Sequence, residues 1–197
     1  MPTPFKHIAI GLILPLLAVS ALLQALLPII DTALFPSQHL QPIEYWRLLS
    51  GHFVHADWAH WRLNMLGALV LVTLFYQDIP LKHWYLATVT ISLFSSLCMV
   101  FFTSYTRYVG FSDTLHGWLA LGVCCMANKH RYLAASLALI LLGKLLSEQL
   151  GVGFISHHLL TEQTHVATHA HVFGSIGGLI YAALLYSMVK IRPLHTS

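Results

Sequence analysis

Six long apolar runs, separated by shorter polar stretches, make up most of the hydropathy pattern along the chain. The runs cover residues 8–30, 58–76, 84–102, 112–127, 132–150 and 166–189. A helix needs about 20 mainly apolar residues to cross the hydrocarbon core of a bilayer, and several runs reach or approach that length. The pattern therefore predicts an all-α, polytopic membrane protein with six transmembrane helices. At this length we expect one domain over residues 1–197.

The first and fourth runs each need a separate interpretation. Lys6 followed by an apolar run is also typical of a secretory signal, but the run continues to Ile30 without a clean small-x-small cleavage site. We therefore expect a retained first helix. The fourth run is short and begins with polar residues, which favours a helix surrounded by other helices rather than by lipid.

The positions of lysine and arginine predict the orientation in the membrane. With the N-terminus in the cytoplasm, six of the ten basic residues lie on that side: Lys6, Lys82, Lys129, Arg131, Lys190 and Arg192. Cytoplasmic loops are enriched in these residues, so we expect both termini to be cytoplasmic. Five acidic residues then fall on the outer side: Asp31, Glu44, Asp57, Glu148 and Glu162. The outer stretch 31–57 is aromatic and too apolar for a solvated loop, and we expect it to lie in the membrane interface.

Composition strengthens the membrane prediction and excludes other classes. Hydrophobic residues make up 57% of the chain and charged residues only 9%, against about a quarter charged in soluble domains. The net charge of +3 forms no basic stripe, so we expect no nucleic-acid partner. The three cysteines lie in apolar runs and show neither metal-ligand spacing nor a disulfide framework.

Ser112 lies at the start of the fourth run, within the sequence GFSDTLHG. A hydroxyl there is close to the free backbone N–H groups of a helix start, which can hold a developing oxyanion. Serine, aspartate and threonine are also common helix N-caps. The octapeptide alone therefore leaves both a catalytic and a capping role open.

His171 lies near the start of the sixth run, within the sequence AHVFGSIGG. Gly174 and Gly178 are four residues apart and share a helix face that a neighbouring helix can approach closely. His171 precedes Gly174 by three residues and lies on the same face. This face can present an imidazole base to a partner helix, although the glycine spacing is also a plain packing motif.

His60 and Asn64 form a second polar pair, in the second run. Their i, i+4 spacing places them on one helix face. Such a pair can polarise a carbonyl or bind an oxyanion. Hydrogen bonding between helices is the alternative role.

The remaining histidines give little support for a metal site. His165 and His169 are four residues apart and could seat a metal, but no carboxylate or third ligand accompanies them, and His157 and His158 add no recognised spacing. No HExxH sequence is present. Asp113 is the only acid well inside a predicted helix and has no aspartate partner for an aspartyl protease. We therefore predict no metal and no cofactor.

Taken in order, these motifs resemble the rhomboid family of intramembrane serine proteases. The GxS at the outer end of helix four, the AHxxGxxxG of helix six and the HxxxN of helix two all match, and Trp46-Arg47 resembles the first outer loop of that family. The resemblance extends from about Trp46 to Tyr181 and implies a six-helix bundle with an interfacial first outer loop.

The resemblance also implies roles for the polar residues. Ser112 would be the nucleophile and His171 its general base, as a dyad without an acid. His60, Asn64 and the Ser112 backbone N–H would form the oxyanion hole. A serine hydroxyl needs a base to take its proton, and histidine is suited to that task at neutral pH.

The sequence departs from the usual family motif GxSG, because Asp113 replaces the second glycine. His116 stands where many rhomboids have a tyrosine that packs on the catalytic histidine, and its i, i+4 spacing from Ser112 should let it reach the dyad. Asp113 could bond His116, bond a substrate or cap the helix. With Gly110, these residues make up the predicted surroundings of the dyad.

The SDxxHG pattern resembles the rhombosortase branch. Those bacterial rhomboids process proteins that carry a C-terminal Gly-Gly, a hydrophobic helix and a basic tail. The resemblance implies an inner-membrane endopeptidase whose active site faces the periplasm and whose partners are proteins anchored by a C-terminal transmembrane segment. The alternatives are a catalytically inactive rhomboid-like binder of transmembrane segments, and a small transporter with a histidine relay. A transporter predicts inverted repeats, and the sequence has none.

Overall fold

The computed structural model describes residue 7, residues 9–26, residue 33, residues 44–152 and residues 167–191. Within these residues the regular elements are all helical, which confirms the all-α part of the predicted fold class. A π-helical turn, Ala9–Ile13, leads into the first α-helix. In chain order the α-helices are α1 (Leu14–Leu26), α2 (Arg47–Ser50), α3 (Trp58–Phe75), α4 (Leu81–Phe102), α5 (Ser112–Met126), α6 (Arg131–Gln149) and α7 (Thr168–Ile191).

Four of the described helices are long and apolar enough to cross a bilayer: α3, α4, α6 and the Thr168–Ser187 part of α7. Ile10–Leu26 forms a shorter apolar helix, and the predicted continuation over 27–30 lies outside the described residues. The 15 residues of α5 give a length of about 22 Å at the α-helical rise, below the thickness of about 30 Å of a hydrocarbon core. The protein is a multi-pass membrane protein, and six spans remain a prediction.

The third predicted span begins earlier than the apolar run suggested. The run starts at residue 84, whereas α4 starts at Leu81, directly after Pro80. Proline is favoured next to a helix start because its fixed φ suits the turn and its missing N–H would be unpaired there. Lys82 and His83 are therefore part of the first helical turn.

Helix α5 lies in the middle of the bundle. It packs against α3, α4, α6 and α7, as its short length and polar start predicted. Trp118 on α5 is fully buried, and its ring meets that of Trp84 edge to face, with centroids 4.8 Å apart. The Trp118 indole N–H also donates to Thr88 Oγ1 at 3.2 Å. These contacts hold α5 against α4.

Glycines bring the backbones of α5 and α7 into direct contact. A Cβ atom on Gly174 would overlap the carbonyl oxygen of Asp113, and one on Gly178 would overlap that of Gly117. A Cβ on Gly117 would in turn lie 2.6 Å from the Gly174 carbonyl oxygen. Side chains therefore cannot separate these helices, and their N-terminal halves are held side by side.

The described part of the first outer loop is tied to the bundle. The Ser96 hydroxyl donates to the carbonyl oxygen of Leu48 at 2.6 Å, and the Gly110 N–H donates to that of Gly51 at 3.1 Å. Tyr45 and Trp46 remain exposed, which suits residues at a membrane interface. Residues 31–32 and 34–43 lie outside the described part, so the interfacial position of the loop stays a prediction.

Candidate active site

Ser112 is the first residue of α5, and the preceding loop fixes its position. Gly110 has a φ of +125°, a conformation that side-chain-bearing residues rarely adopt, and a Cβ there would lie 2.9 Å from His60 Cε1. The buried Tyr108 hydroxyl donates to the Gly110 carbonyl oxygen at 3.0 Å. Glycine is therefore required at position 110, beside the His60 ring and two residues before Ser112.

The imidazole of His171 faces Ser112 across the contact between α7 and α5. Nε2 of His171 lies 2.9 Å from Oγ of Ser112, although the two residues are 59 positions apart in sequence. This distance is within hydrogen-bond reach of a general base. The close contact at Gly174 allows this short distance, because His171 lies one turn before the point where the backbones of α5 and α7 meet.

Glu148 on α6 is the site residue that sequence reasoning missed. Its Oε2 lies 2.8 Å from Nδ1 of His171, whereas we expected a dyad without an acid. Lys144, one turn earlier on the same helix, bonds the other carboxylate oxygen. A usable signal was present, because Lys144 and Glu148 are ionisable residues in an apolar run, and such residues are functional candidates. The run ends near Glu148, which made this acid resemble an outer-loop residue.

His116 reaches the pair, as its spacing from Ser112 predicted. Its ring stacks on that of His171, with centroids 4.2 Å apart and planes 14° apart. Its Nδ1 lies 2.6 Å from the Ser112 carbonyl oxygen. A carbonyl only accepts, so Nδ1 carries the proton and donates it, which orients the His116 ring.

Asp113 is buried and contacts the outer loop rather than the His116 ring. Its Oδ1 accepts from the Thr114 N–H at 2.6 Å and lies 3.0 Å from Nδ1 of His52. Nε2 of His52 lies 2.7 Å from Oγ of Ser96, whose own proton goes to the Leu48 carbonyl. Both ring nitrogens of His52 therefore have a buried partner, and the contact with Asp113 ties the outer loop to the start of α5. Sequence reasoning had not considered His52 as a partner.

His60 and Asn64 lie beside the loop that leads to Ser112. The Asp57 carboxylate caps α3 by accepting from the His60 N–H at 2.7 Å. A Cβ on Gly110 would lie 3.1 Å from His60 Nε2 and 3.8 Å from Asn64 Nδ2, so both side chains converge there. Asn64 is buried, and its Nδ2 has no hydrogen-bond partner among the described residues. An unpaired buried donor is unfavourable, and a developing oxyanion would satisfy it.

His55 adds an imidazole that sequence reasoning did not assign. Its ring meets the His60 ring edge to face, with centroids 5.0 Å apart. Burial, together with the neighbouring His60, lowers the pKa of His55 to about 3. Its backbone N–H and C=O both pair with the Gln24 side chain, which holds this loop against α1. His55 is therefore a neutral ring that supports His60 from the side of the loop.

The structure brings together one group of possible metal ligands in the described part of the chain. Donor atoms of His116, Glu148 and His171 all lie within 4.8 Å of one another. The hydrogen bonds of Glu148 to His171 and Lys144 account for this cluster without an ion. His169, considered from its spacing, instead pairs its Nδ1 with the Tyr105 hydroxyl at 2.9 Å. Residues 157, 158 and 165 lie outside the described residues.

Comparison with known proteins identifies the family. The family model of the rhomboid domain matches residues 42–188, which is well over half of the chain and includes Ser112, His171, His60 and Asn64. No curated protein and no solved structure matches the chain significantly. The match rests on the same stretch that carries the helical bundle and the contact between serine and histidine. The chain therefore belongs to the rhomboid family, whose members are generally intramembrane serine proteases.

Proposed function

We propose that this protein is an intramembrane serine endopeptidase that cleaves transmembrane-anchored substrates near the outer face of the membrane. The observation that carries the proposal is the 2.9 Å contact between Ser112 Oγ and His171 Nε2. Ser112 is the nucleophile and His171 is its general base. The pair lies at the starts of α5 and α7, where the free N–H groups of α5 are also available.

The proposed reaction follows from these positions. His171 Nε2 takes the Ser112 hydroxyl proton while Oγ bonds to the carbonyl carbon of the scissile peptide. The oxyanion that forms accepts hydrogen bonds from the Ser112 N–H and the His60 and Asn64 side chains. His171 then returns the proton to the leaving amine as the C–N bond breaks. Water, or a second amine, releases the acyl group from Ser112 by the reverse path.

We further propose that the substrates are those of the rhombosortase branch. The SDxxHG sequence, with Asp113 and His116, supports this assignment. Such substrates carry a Gly-Gly sequence followed by a C-terminal transmembrane helix and a basic tail. Glycines before the helix favour local unwinding, which exposes a peptide bond to Ser112. The enzyme then lies in a bacterial inner membrane, with both termini in the cytoplasm and the active site toward the periplasm.

A serine-directed fluorophosphonate probe tests the catalytic assignment on the full chain in detergent micelles or liposomes. We expect covalent labelling of the unmodified protein and none of Ser112→Ala or His171→Ala. Ser187→Ala is the matched control, because its hydroxyl bonds a backbone carbonyl at the other end of α7. Labelling that survives Ser112→Ala contradicts the proposal.

A pair of substrates tests the narrower assignment. Two membrane-anchored fusions share one transmembrane helix and basic tail, and only one has Gly-Gly before the helix. We expect Ser112-dependent cleavage of the Gly-Gly fusion alone. Equal cleavage of both places the enzyme among general rhomboid proteases, and cleavage of neither by a labelled enzyme contradicts this substrate class.

A further inference from the structure

We propose that Glu148 is the positioning acid of this site. The inference extends the proposed dyad to a Ser112–His171–Glu148 triad and rests on the proposed function. His171 lies between the two residues, with Nε2 at 2.9 Å from Ser112 Oγ and Nδ1 at 2.8 Å from Glu148 Oε2. Each ring nitrogen therefore has one partner, and the two partners lie on different helices.

The carboxylate fixes which nitrogen of His171 carries the proton. An ionised carboxylate only accepts hydrogen bonds, so Nδ1 must donate to it. A neutral imidazole has one N–H, which leaves the lone pair on Nε2. That lone pair points at the Ser112 hydroxyl and can take its proton. Without Glu148, both tautomers of His171 are available, and one of them cannot act as a base toward Ser112.

The ring is also held against rotation. His116 stacks on one face of His171 at a centroid distance of 4.2 Å, and the contact with Glu148 is made at the edge of the ring. Stacking restricts tilting of the ring, and the two hydrogen bonds at opposite edges restrict its turning. Glu148 thus orients His171 as well as selecting its tautomer.

Charge stabilisation is the second effect of Glu148. The Glu148 side chain is only 3% exposed and is paired with the Lys144 ammonium, so the carboxylate is desolvated and has a compensating charge. When His171 takes the Ser112 proton, an imidazolium forms against this carboxylate. A nearby opposite charge is strongly favourable where water is excluded. The transition state therefore gains more from Glu148 than the resting state does.

Helix stability does not explain an acid at this position. Glu148 lies in the last turn of α6, where a negative charge opposes the helix dipole. Lys144 precedes Glu148, which is the poorer order for an i, i+4 ion pair. Burial of the carboxylate adds a further penalty unless it is fully paired. The contact with His171 is the interaction that accounts for its placement.

In the proposed reaction every proton is accounted for without protonation of Glu148. In acylation, the Ser112 proton moves to Nε2 and the Oγ–carbon bond forms, while the original proton stays on Nδ1 and is donated to Glu148 throughout. The Nε2 proton then moves to the amine as the C–N bond breaks. His171 ends as the same neutral tautomer, and the carboxylate remains ionised.

The test is the rate of labelling by a fluorophosphonate probe, resolved into the maximal inactivation rate constant and the probe's half-saturating concentration. We expect Glu148→Gln, which keeps the shape and removes the charge, to lower the maximal rate about 100-fold or more, since loss of the acid in a serine triad has effects of that order or larger. The half-saturating concentration should stay the same. Glu148→Asp retains a carboxylate and should recover part of the rate.

Two further variants separate catalysis from structure. Ser147→Ala removes a hydroxyl that bonds the Lys144 carbonyl oxygen in the same turn of α6 and leaves the carboxylate on His171, and we expect a rate within a few-fold of the unmodified protein. Glu44→Gln breaks a glutamate–arginine pair of 3.0 Å in the outer loop and should have no effect. A loss with Ser147→Ala as large as with Glu148→Gln overturns the proposal, because a general disturbance of the last turn of α6, and not the contact with His171, would then account for the effect.

The outcomes also distinguish failure of this inference from failure of the proposed function. Labelling of Glu148→Gln at the unmodified rate overturns the role of Glu148, while the dyad stands if Ser112→Ala and His171→Ala stay unlabelled. Labelling of Ser112→Ala overturns the proposed function itself. If thermal unfolding shows that Glu148→Gln is not folded, the labelling rate of Glu148→Asp decides between the two outcomes. Its carboxylate is one methylene short, so a lowered maximal rate supports the proposal and an unchanged rate overturns it.

Discussion

The imidazole rings of His116 and His171 lie nearly parallel, with centroids 4.2 Å apart and planes 14° apart. Both lie within the first five residues of their helices, so the stack joins α5 to α7 close to Ser112. His116 donates to the Ser112 carbonyl oxygen at 2.6 Å and is therefore oriented by the backbone of the proposed nucleophile. The stack links the position of Ser112 to that of His171.

The His116 stack should tolerate an aromatic replacement and not an aliphatic one. Aromatic stacking contributes about 0.5–1.5 kcal/mol beyond buried area, so His116→Ala should lower the fluorophosphonate labelling rate up to about tenfold. His116→Phe keeps the stack and should retain most of the rate. Equal losses in the two variants would show that the hydrogen bond to Ser112, and not the stack, is what matters.

The backbone contact at Gly174 should not accept a methyl group. A Cβ there would overlap the Asp113 carbonyl oxygen, and overpacking of this kind typically costs about 1–3 kcal/mol. Gly174→Ala should push α7 away from α5, abolish labelling of Ser112 and lower the thermal unfolding temperature in detergent.

Gly143 on α6 provides the matched control. A Cβ at this position meets nothing within 4 Å among the described residues. Gly143→Ala should keep full labelling and gain about 0.5–1 kcal/mol of stability from the better helix former. If Gly143→Ala is as damaging as Gly174→Ala, the close contact between α5 and α7 is not the cause.

The buried pair of His52 and Asp113 should be important for stability. Both side chains are fully buried with a separation of 3.0 Å, and leaving a buried polar group without its hydrogen-bond partner costs about 1–3 kcal/mol. We expect His52→Ala to lower the free energy of unfolding by that order, as measured by thermal unfolding. The double variant His52→Ala/Asp113→Gly should lose less unfolding free energy than the sum of the losses in the two single variants.

The pair of Lys129 and Asp78 is the control for this measurement. It has the same 3.0 Å separation, but Lys129 is 62% exposed. Exposed ion pairs contribute about 0–1 kcal/mol, so Lys129→Ala should change stability by less than that amount. Similar losses of stability at the buried and the exposed pair would show that burial of Asp113 is not what makes its contact important.

Replacement of Asn64 should lower the reaction rate and leave the stability of the fold nearly unchanged. Its unpaired Nδ2 is placed to donate to an oxyanion, and loss of one such donor typically lowers rates about 100- to 1,000-fold. Asn64→Ala should reduce the maximal labelling rate to that extent with little change in unfolding temperature. Thr73→Ala on the same helix, which removes only a bond to the Leu69 carbonyl, should leave the rate unchanged.

Chelation tests the alternative use of His116, Glu148 and His171 as metal ligands. Their donor atoms are close enough for an ion, but the carboxylate is already bonded to His171 and Lys144. We expect prolonged treatment with EDTA to leave the labelling rate unchanged. A loss on chelation that Zn²⁺ restores would show that the cluster is a metal centre.

The elements of this fold were largely predictable because their signals are local. Apolar runs bounded by polar residues gave the positions of α3, α5 and α6 to within one or two residues. The Ser112 and His171 motifs could be found because each is a short pattern at a helix start. The spacing of Gly174 and Gly178 marked a face that packs closely against another helix, whereas the pairing of His171 with Ser112 was implied only by the resemblance to the rhomboid family.

The partners of the site residues were less predictable because they are distant in sequence. Glu148 lies 23 residues from His171, and nothing in the spacing within α6 indicates which helix its carboxylate faces. His52 and Asp113 are 61 residues apart, and the contact depends on how the outer loop folds back over α5. Such pairs depend on helix rotation and loop path, which hydropathy does not determine.

The glycine contact between α5 and α7 has a consequence for how the protein responds to its lipid environment. No side-chain layer lies between the two backbones at Gly174 and Gly178, so this seam has almost no compressible volume. Changes in lateral pressure or bilayer thickness will act on the softer, side-chain-filled contacts of the bundle and move α5 and α7 together as one body. Membrane composition should therefore alter the side-chain-filled contacts around α5 and α7, while the geometry between Ser112 and His171 stays constant.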